Sequence, residues 1–204
     1  MSDKVKIAVF VSGGGTNLQA LIDAQGSVIN SGEIVLVLSS TPKAYALQRA
    51  ANAGIDSVVV SRKDYAEQQE YEAEITKQLE KYGVEMIVLA GFMSILSGDF
   101  TSKWPERIIN VHPSLIPSFC GKGFYGLRVH EAALAYGVKV SGATVHYVNE
   151  VTDGGKIILQ KAVEVLPGDT PEVLQRRIME QAEWLLLPRA TEMTAQRIKD
   201  EKGN

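Results

Sequence analysis

Asn110 and His112, two residues apart and followed at once by Pro113, are the side chains best placed to do chemistry together. In an extended strand, side chains alternate between faces, so these two project from the same side. Pro113 biases His112 toward the extended region and cannot donate to a sheet ladder, so a strand ends there. A neutral amide donor then stands beside a titratable imidazole at a strand's carboxyl end. Such a pair suits the oxyanion of a tetrahedral intermediate, with the imidazole also able to carry protons. Further along, Asp153 opens an Asp-Gly-Gly turn. Folded back onto His112, its carboxylate would favour imidazolium over imidazole. A buried amide, a core histidine and a turn aspartate are the ordinary alternatives for each residue alone. The three together outweigh them.

A second candidate is the loop Ser12-Gly13-Gly14-Gly15-Thr16-Asn17. Consecutive glycines let the backbone approach a ligand closely, and the N-terminus of a following helix offers free amides to an anion. Thr16 and Asn17 add side-chain donors at the same point. A dinucleotide fingerprint would need Gly where Leu18 stands, and a Walker loop would need Gly-Lys-Ser/Thr. The loop therefore reads as a cradle for a monophosphate, with a structural turn as the plain alternative.

These residues need elements to hold them. Ile7–Val11 is a continuous apolar run, as in a strand buried on both faces of a parallel sheet. Further strands are expected at Ile34–Leu38, Ser57–Val60 and Met86–Ala90, and helices at Tyr45–Ala53 and Tyr65–Tyr82. In the latter, Tyr71, Ile75, Leu79 and Tyr82 form the apolar stripe. This alternation predicts an α/β fold, a single domain with a doubly wound, mostly parallel sheet. After Arg107 the pattern changes: strands at Ile108–His112, Gly142–Val148 and Ile157–Val165, with a helix at Val129–Tyr136. The short connection between the last two strands predicts an antiparallel pair added to the sheet. Thr170 caps a final helix with Pro171 at its first position, and Leu174, Ile178, Ala182 and Leu185 mark its buried face. Residues beyond about Arg197 are polar and read as frayed. Residues 1–107 form the expected phosphate-binding half of the one domain, and 108–198 the catalytic half.

Composition narrows the function. The 204 residues are 45% hydrophobic and carry a formal charge of −3, which argues against a nucleic-acid partner. No apolar run approaches the about 20 residues a membrane span needs, so no membrane partner is expected. Cys120 is the only cysteine, so an intrachain disulfide cannot form and a cytoplasmic, reducing location fits. It reads as a small structural thiol rather than a nucleophile. His112, His130 and His146 lack metal-like local spacing, and no metal site is expected. His146, two residues after Thr144 on an inward strand face, reads as a supporting or core residue.

From Val5 to Ile198 the chain resembles the phosphoribosylglycinamide formyltransferases, folate-dependent enzymes of purine synthesis. The resemblance is carried by Val9–Gln19 (VFVSGGGTNLQ), Val88–Ser97 (VLAGFMSILS), Ile109–Pro117 (INVHPSLIP), Gly142–Val148 (GATVHYV) and Asp153–Gln160 (DGGKIILQ). The Asn-x-His-Pro-Ser-Leu and Asp-Gly-Gly stretches are similar to those of folate formyltransferases generally. The glycine loop and the lack of room for further domains narrow the resemblance to the glycinamide ribonucleotide enzymes.

What the resemblance implies is specific. The cosubstrate would be 10-formyltetrahydrofolate and the acceptor glycinamide ribonucleotide, with a monomer or homodimer as the working unit. Asn110, His112 and Asp153 would be the catalytic trio, and Gly15, Thr16 and Asn17 would bind the 5′-phosphate. Arg62 and Met93, Ser94, Ile95 and Leu96 would contact the folate, with Asn110 also at the folate site. Glu183 would hold the substrate amine. Other folate formyl-group enzymes, acting on sugar nucleotides, on initiator tRNA or hydrolytically on the folate, are the alternatives. The chain departs from the family's pattern at Ser94, where Arg is frequent, at Trp184, where His is frequent, and in the longer, glycine-rich 118–127 stretch.

Overall fold

The computed structural model describes residues 4–203. Its strands are β1 (Val5–Val11), β2 (Gly32–Ser39), β3 (Ser57–Val59), β4 (Met86–Leu89), β5 (Ile108–His112), β6 (Val140–Tyr147) and β7 (Ile157–Glu164). The helices are α1 (Thr16–Ala24), α2 (Ala46–Asn52), α3 (Gln68–Tyr82), α4 (Gly98–Thr101), α5 (Leu127–Tyr136), α6 (Pro171–Ile178) and α7 (Trp184–Gly203). All seven strands form one sheet in the order β3-β2-β1-β4-β5-β6-β7. Strands β1 to β5 run parallel, and β6 and β7 are added antiparallel at one side.

The apolar run of β1 is buried because helices cover both faces of the sheet. Val5, Ile7, Val9 and Val11 pack on one side with Leu18, Leu21, Leu174, Ile178 and Leu187. Ala8 and Phe10 pack on the other with Tyr71, Ile75, Leu79 and Phe100. β4 alternates the same way, Met86 and Val88 on the first face and Ile87 and Leu89 on the second. Parallel neighbours bring the carboxyl ends of β1, β4 and β5 to one edge, where open α/β sheets place ligands. The glycine loop, the 91–97 segment and His112 leave the sheet at that edge.

Three expectations need correction. Helix α3 starts at Gln68, not Tyr65, because Arg62–Asp64 forms a 3₁₀ turn and Glu67 caps the helix reciprocally with Glu70. The final helix is not continuous: a π turn, Met179–Glu183, separates α6 from α7. The wider turn advances the helix phase by one residue, so Leu186 and Leu187 enter the core while Leu185 is 44% exposed. Pro188 lies just beyond, where its missing N–H leaves the Trp184 carbonyl without its helical partner. Finally, the chain past Arg197 is helical to Gly203, with Ile198 buried and the Arg197 guanidinium over the Tyr147 ring. Thr170 caps α6 as expected, its side chain accepting from the Val173 N–H.

Candidate active site

β5 ends at His112, as Pro113 requires, and pairs with β6 so that Asn110 lies opposite His146 and His112 opposite Thr144. Side chains paired across two strands share a face. Thr144 holds the turn after β5: its hydroxyl donates to the Ser114 carbonyl and accepts from the Ile116 N–H and the Gln160 amide. Asp153 reaches this face from the turn between β6 and β7. Its own φ is 55°, a left-handed value that Asp tolerates better than most residues. Gly155 makes the approach possible, since a Cβ there would lie 1.7 Å from the Tyr147 carbonyl oxygen.

The structure brings the trio together. His112 Nδ1 stands 3.5 Å from Asp153 Oδ2, both side chains buried. His112 Nε2 is 2.8 Å from the Phe119 carbonyl, which can only accept, so Nε2 carries a proton. The Gly121 N–H donates to Asp153 Oδ2 at 2.8 Å. His146, 1% exposed, completes the cluster. Its Nδ1 donates to its neighbour's carbonyl at Tyr147, and its Nε2 lies 3.3 Å from Asn110 Nδ2 and 3.6 Å from Asp153 Oδ1.

The electrostatics depart from expectation in one respect. Burial pushes the His112 imidazole below its ordinary value, outweighing the upward pull of Asp153 and of the Phe119 carbonyl. Spacing showed the partner charge but not the desolvation that opposes it. Burial alone would raise the Asp153 carboxyl. The His146 ring 3.6 Å away, the His112 charge and the Gly121 N–H prevail and hold it below the usual carboxylate range. His130 is buried from α5, without a bonding partner for either ring nitrogen among the described residues. Burial, with His112 nearby, lowers it to about 4. The Cys120 thiol is pushed up by burial and by Asp153, which disfavours the nucleophilic thiolate.

The glycine loop and Glu183 form a second cluster. Gly15 is left-handed at φ 72°, and a Cβ there would meet the Ala46 Cβ at 2.7 Å. The carbonyls of Gly13 and Gly14 bond to α2, accepting from the Ala46 N–H and from Arg49. No side chain caps α1, so its first-turn amides keep their capacity for an anion. Asn17 Nδ2 donates to Glu183 Oε2 at 2.7 Å, and the Thr16 hydroxyl faces the Met179 sulfur. Both partners come from the π turn, which therefore aims them at the loop. Burial raises the Glu183 carboxyl to about 7 although Asn17 opposes it. A cleft of about 510 Å³ opens beside Thr16 between α1 and α7, lined also by Gln19, Arg49, Trp184 and Arg189.

The residues expected at the folate lie at the same sheet edge. Met93 and Ile95 are 56% and 77% exposed, with Ser94 between them and Leu96 after them half-buried. Ser12 accepts from the Met93 N–H, tying this segment to the glycine loop. Arg62 is engaged within its own turn, donating to Gln68 and to the carbonyls of Tyr65 and Ala66. Gln68 in turn donates to the Ile95 carbonyl and to Glu72, which holds Ser97.

Sequence reasoning missed the contributions of Phe119 and Gly121, which are backbone groups and leave no mark on residue type. It also missed Met179, since nothing in the helical pattern announced a π turn. His146 had a signal, its place opposite Asn110 once the two strands are paired.

A model of the formyl transferase family matches residues 5–191. The chain belongs to the formyl transferase family. It is similar to the trifunctional purine biosynthetic protein adenosine-3 of Gallus gallus, 45% identical over 194 residues. That alignment covers 95% of this chain but 19% of the relative, so the chain spans about a fifth of that protein's length. A phosphoribosylglycinamide formyltransferase of Haemophilus influenzae is 42% identical over 176 residues, 86% of this chain and 81% of the relative. Among solved structures, glycinamide ribonucleotide transformylase 1 of Symbiobacterium toebii superposes with a TM-score of 0.88 at 40% identity. It covers 96% of this chain and 90% of its own. This formyl transferase thus shares the fold of the neighbours it matches. Among the described residues, no three His, Cys, Asp or Glu side chains gather as a metal ion would need. No helix among them is long and apolar enough to cross a membrane.

Proposed function

We propose that this chain transfers the formyl group of 10-formyltetrahydrofolate to the amine of glycinamide ribonucleotide. The products would be formylglycinamide ribonucleotide and tetrahydrofolate, in purine biosynthesis. The observation that carries the proposal is the gathering of Asn110, His112 and Asp153 at the sheet edge that also presents the uncapped glycine loop. The likeness to phosphoribosylglycinamide formyltransferases supports the same chemistry.

In this reading the amine attacks the formyl carbon, and the oxyanion that develops accepts from Asn110 Nδ2. His112 Nε2–H, which the Phe119 carbonyl accepts here, is the position from which a proton reaches the oxyanion or the departing folate nitrogen. Asp153 stabilises the charged imidazole and turns Nδ1 toward itself. The amine's proton leaves through this pair and solvent, so no covalent enzyme intermediate is required. Gly15, Thr16 and Asn17 take the ribonucleotide phosphate, and Glu183 the substrate's amine end. Arg62 and Met93–Leu96 form the folate side, with Ser94 unable to offer the cation that an arginine would. The lone cysteine supports a cytoplasmic enzyme.

The test is release of tetrahydrofolate with glycinamide ribonucleotide, with a sugar-nucleotide amine, and with no acceptor. Release dependent on glycinamide ribonucleotide is expected. Equal release without an acceptor would identify a hydrolase instead, and dependence on the sugar nucleotide a different transferase.

A further inference from the structure

His146 lies between two members of the trio without being one of them. Its ring is 1% exposed on β6, an interior strand with β5 on one side and β7 on the other. Nδ1 is 2.8 Å from the Tyr147 carbonyl, and a carbonyl can only accept, so the proton is on Nδ1. In the neutral ring, Nε2 therefore presents a lone pair. That lone pair faces Asn110 Nδ2 at 3.3 Å, within hydrogen-bond reach, while Asp153 Oδ1 lies beyond it at 3.6 Å.

We propose that His146 is a positioning residue for the formyl transfer described above, holding the Asn110 carboxamide by one N–H and leaving its second N–H for the reacting oxygen. The inference rests on that functional reading. Its physical content is the choice between two ends of one amide. Rotated by half a turn, the carboxamide would set its oxygen against the Nε2 lone pair, acceptor against acceptor. The same rotation would offer the oxyanion an acceptor in place of a donor. The Tyr147 carbonyl thus acts through two links: it sets the tautomer of His146, and the tautomer sets the amide. A histidine whose second nitrogen is fixed by a backbone carbonyl is a recurrent way of orienting a partner group.

The test is a double-mutant cycle on kcat between His146→Phe and Asn110→Ala, with His146→Gln as the conservative variant. His146→Phe keeps a ring of similar size without nitrogens, and the Gln amide oxygen can still accept from Asn110. His146→Phe is expected to lower kcat about tenfold, with KM for both substrates changed less than about twofold. In the Asn110→Ala background it is expected to cost nothing more, and His146→Gln is expected to recover part of the loss. If His146→Phe does not fold, His146→Gln takes its place in the cycle, with a smaller loss that must also vanish without Asn110. An equal loss in both backgrounds would overturn the proposal, as would a loss that travels with a displaced limb of the pH profile, the mark of a proton carrier. A wild-type protein that transfers no formyl would instead overturn the functional reading itself.

Discussion

At the scale of residues, the proposed reaction divides its labour between a donor, a titrating ring and a carboxylate. In the proposed reaction the three act on one transition state, so Asn110→Ala and Asp153→Asn are each expected to cut kcat by about 10²–10³. The double variant should lose much less than the product of the two, because the groups work as a unit. Steady-state kinetics at saturating substrates measure this, and fully multiplicative losses would show independent roles. The pH dependence follows from the sign of each influence on His112. Burial lowers its pKa and Asp153 raises it, with burial the larger. Removing the carboxylate in Asp153→Asn leaves burial less opposed, so the imidazole should titrate at still lower pH. NMR titration of His112 in both proteins checks this, and an unchanged value would reassign Asp153 to substrate positioning. That Asn110 and His112 share a face was legible in the sequence because a strand's period of two and a proline stop constrain where they point. The balance at His112 was not, because desolvation depends on what the fold packs around the ring.

At the scale of elements, the π turn Met179–Glu183 is where local pattern and structure part. An unbroken helix of 3.6 residues per turn puts Leu185 in line with Ile178 and Ala182, whereas the structure buries Leu186 and exposes Leu185. Leu186→Ala should therefore cost about 2–5 kcal/mol in urea unfolding, and Leu185→Ala within about 0.5 kcal/mol. The reverse order would mean a continuous helix. The same turn places Glu183 against Asn17 in a site that raises its carboxyl from 4.5 to about 7. A carboxyl raised in the folded state contributes stability that is full below its unfolded value and lost as pH rises through about 7. Glu183→Gln stays neutral, so relative to wild type it should gain on the order of 2–3 kcal/mol between about pH 5 and pH 8. Unfolding curves for both proteins at the two pH values give the difference. A constant offset would show that Glu183 does not titrate in this range. No glycine or proline lies within the turn, so its presence was written in tertiary packing rather than in local signals.

At the scale of the whole molecule, the sheet order explains why loops distant in sequence meet. β1, β4 and β5 are adjacent and parallel, so the glycine loop, the Met93–Leu96 segment and His112 emerge at one edge. β6 and β7, antiparallel, carry His146 opposite Asn110 and send the Asp153 turn back to the same edge. The alternation of apolar runs and amphipathic segments made the parallel part legible. The short connection after Tyr147 made the antiparallel pair legible too. The order of strands and the backbone groups of 118–127 that touch the trio depend on long-range packing, which residue types do not record. The central claim is that this edge moves a formyl group from folate to an amine. Purified protein given 10-formyltetrahydrofolate labelled with ¹³C in the formyl carbon, together with glycinamide ribonucleotide, tests it directly by NMR. The label is expected in an amide on the ribonucleotide in wild type, and to remain on the folate in His112→Ala. Label appearing as free formate, or an equal yield of labelled amide in His112→Ala, would contradict the account.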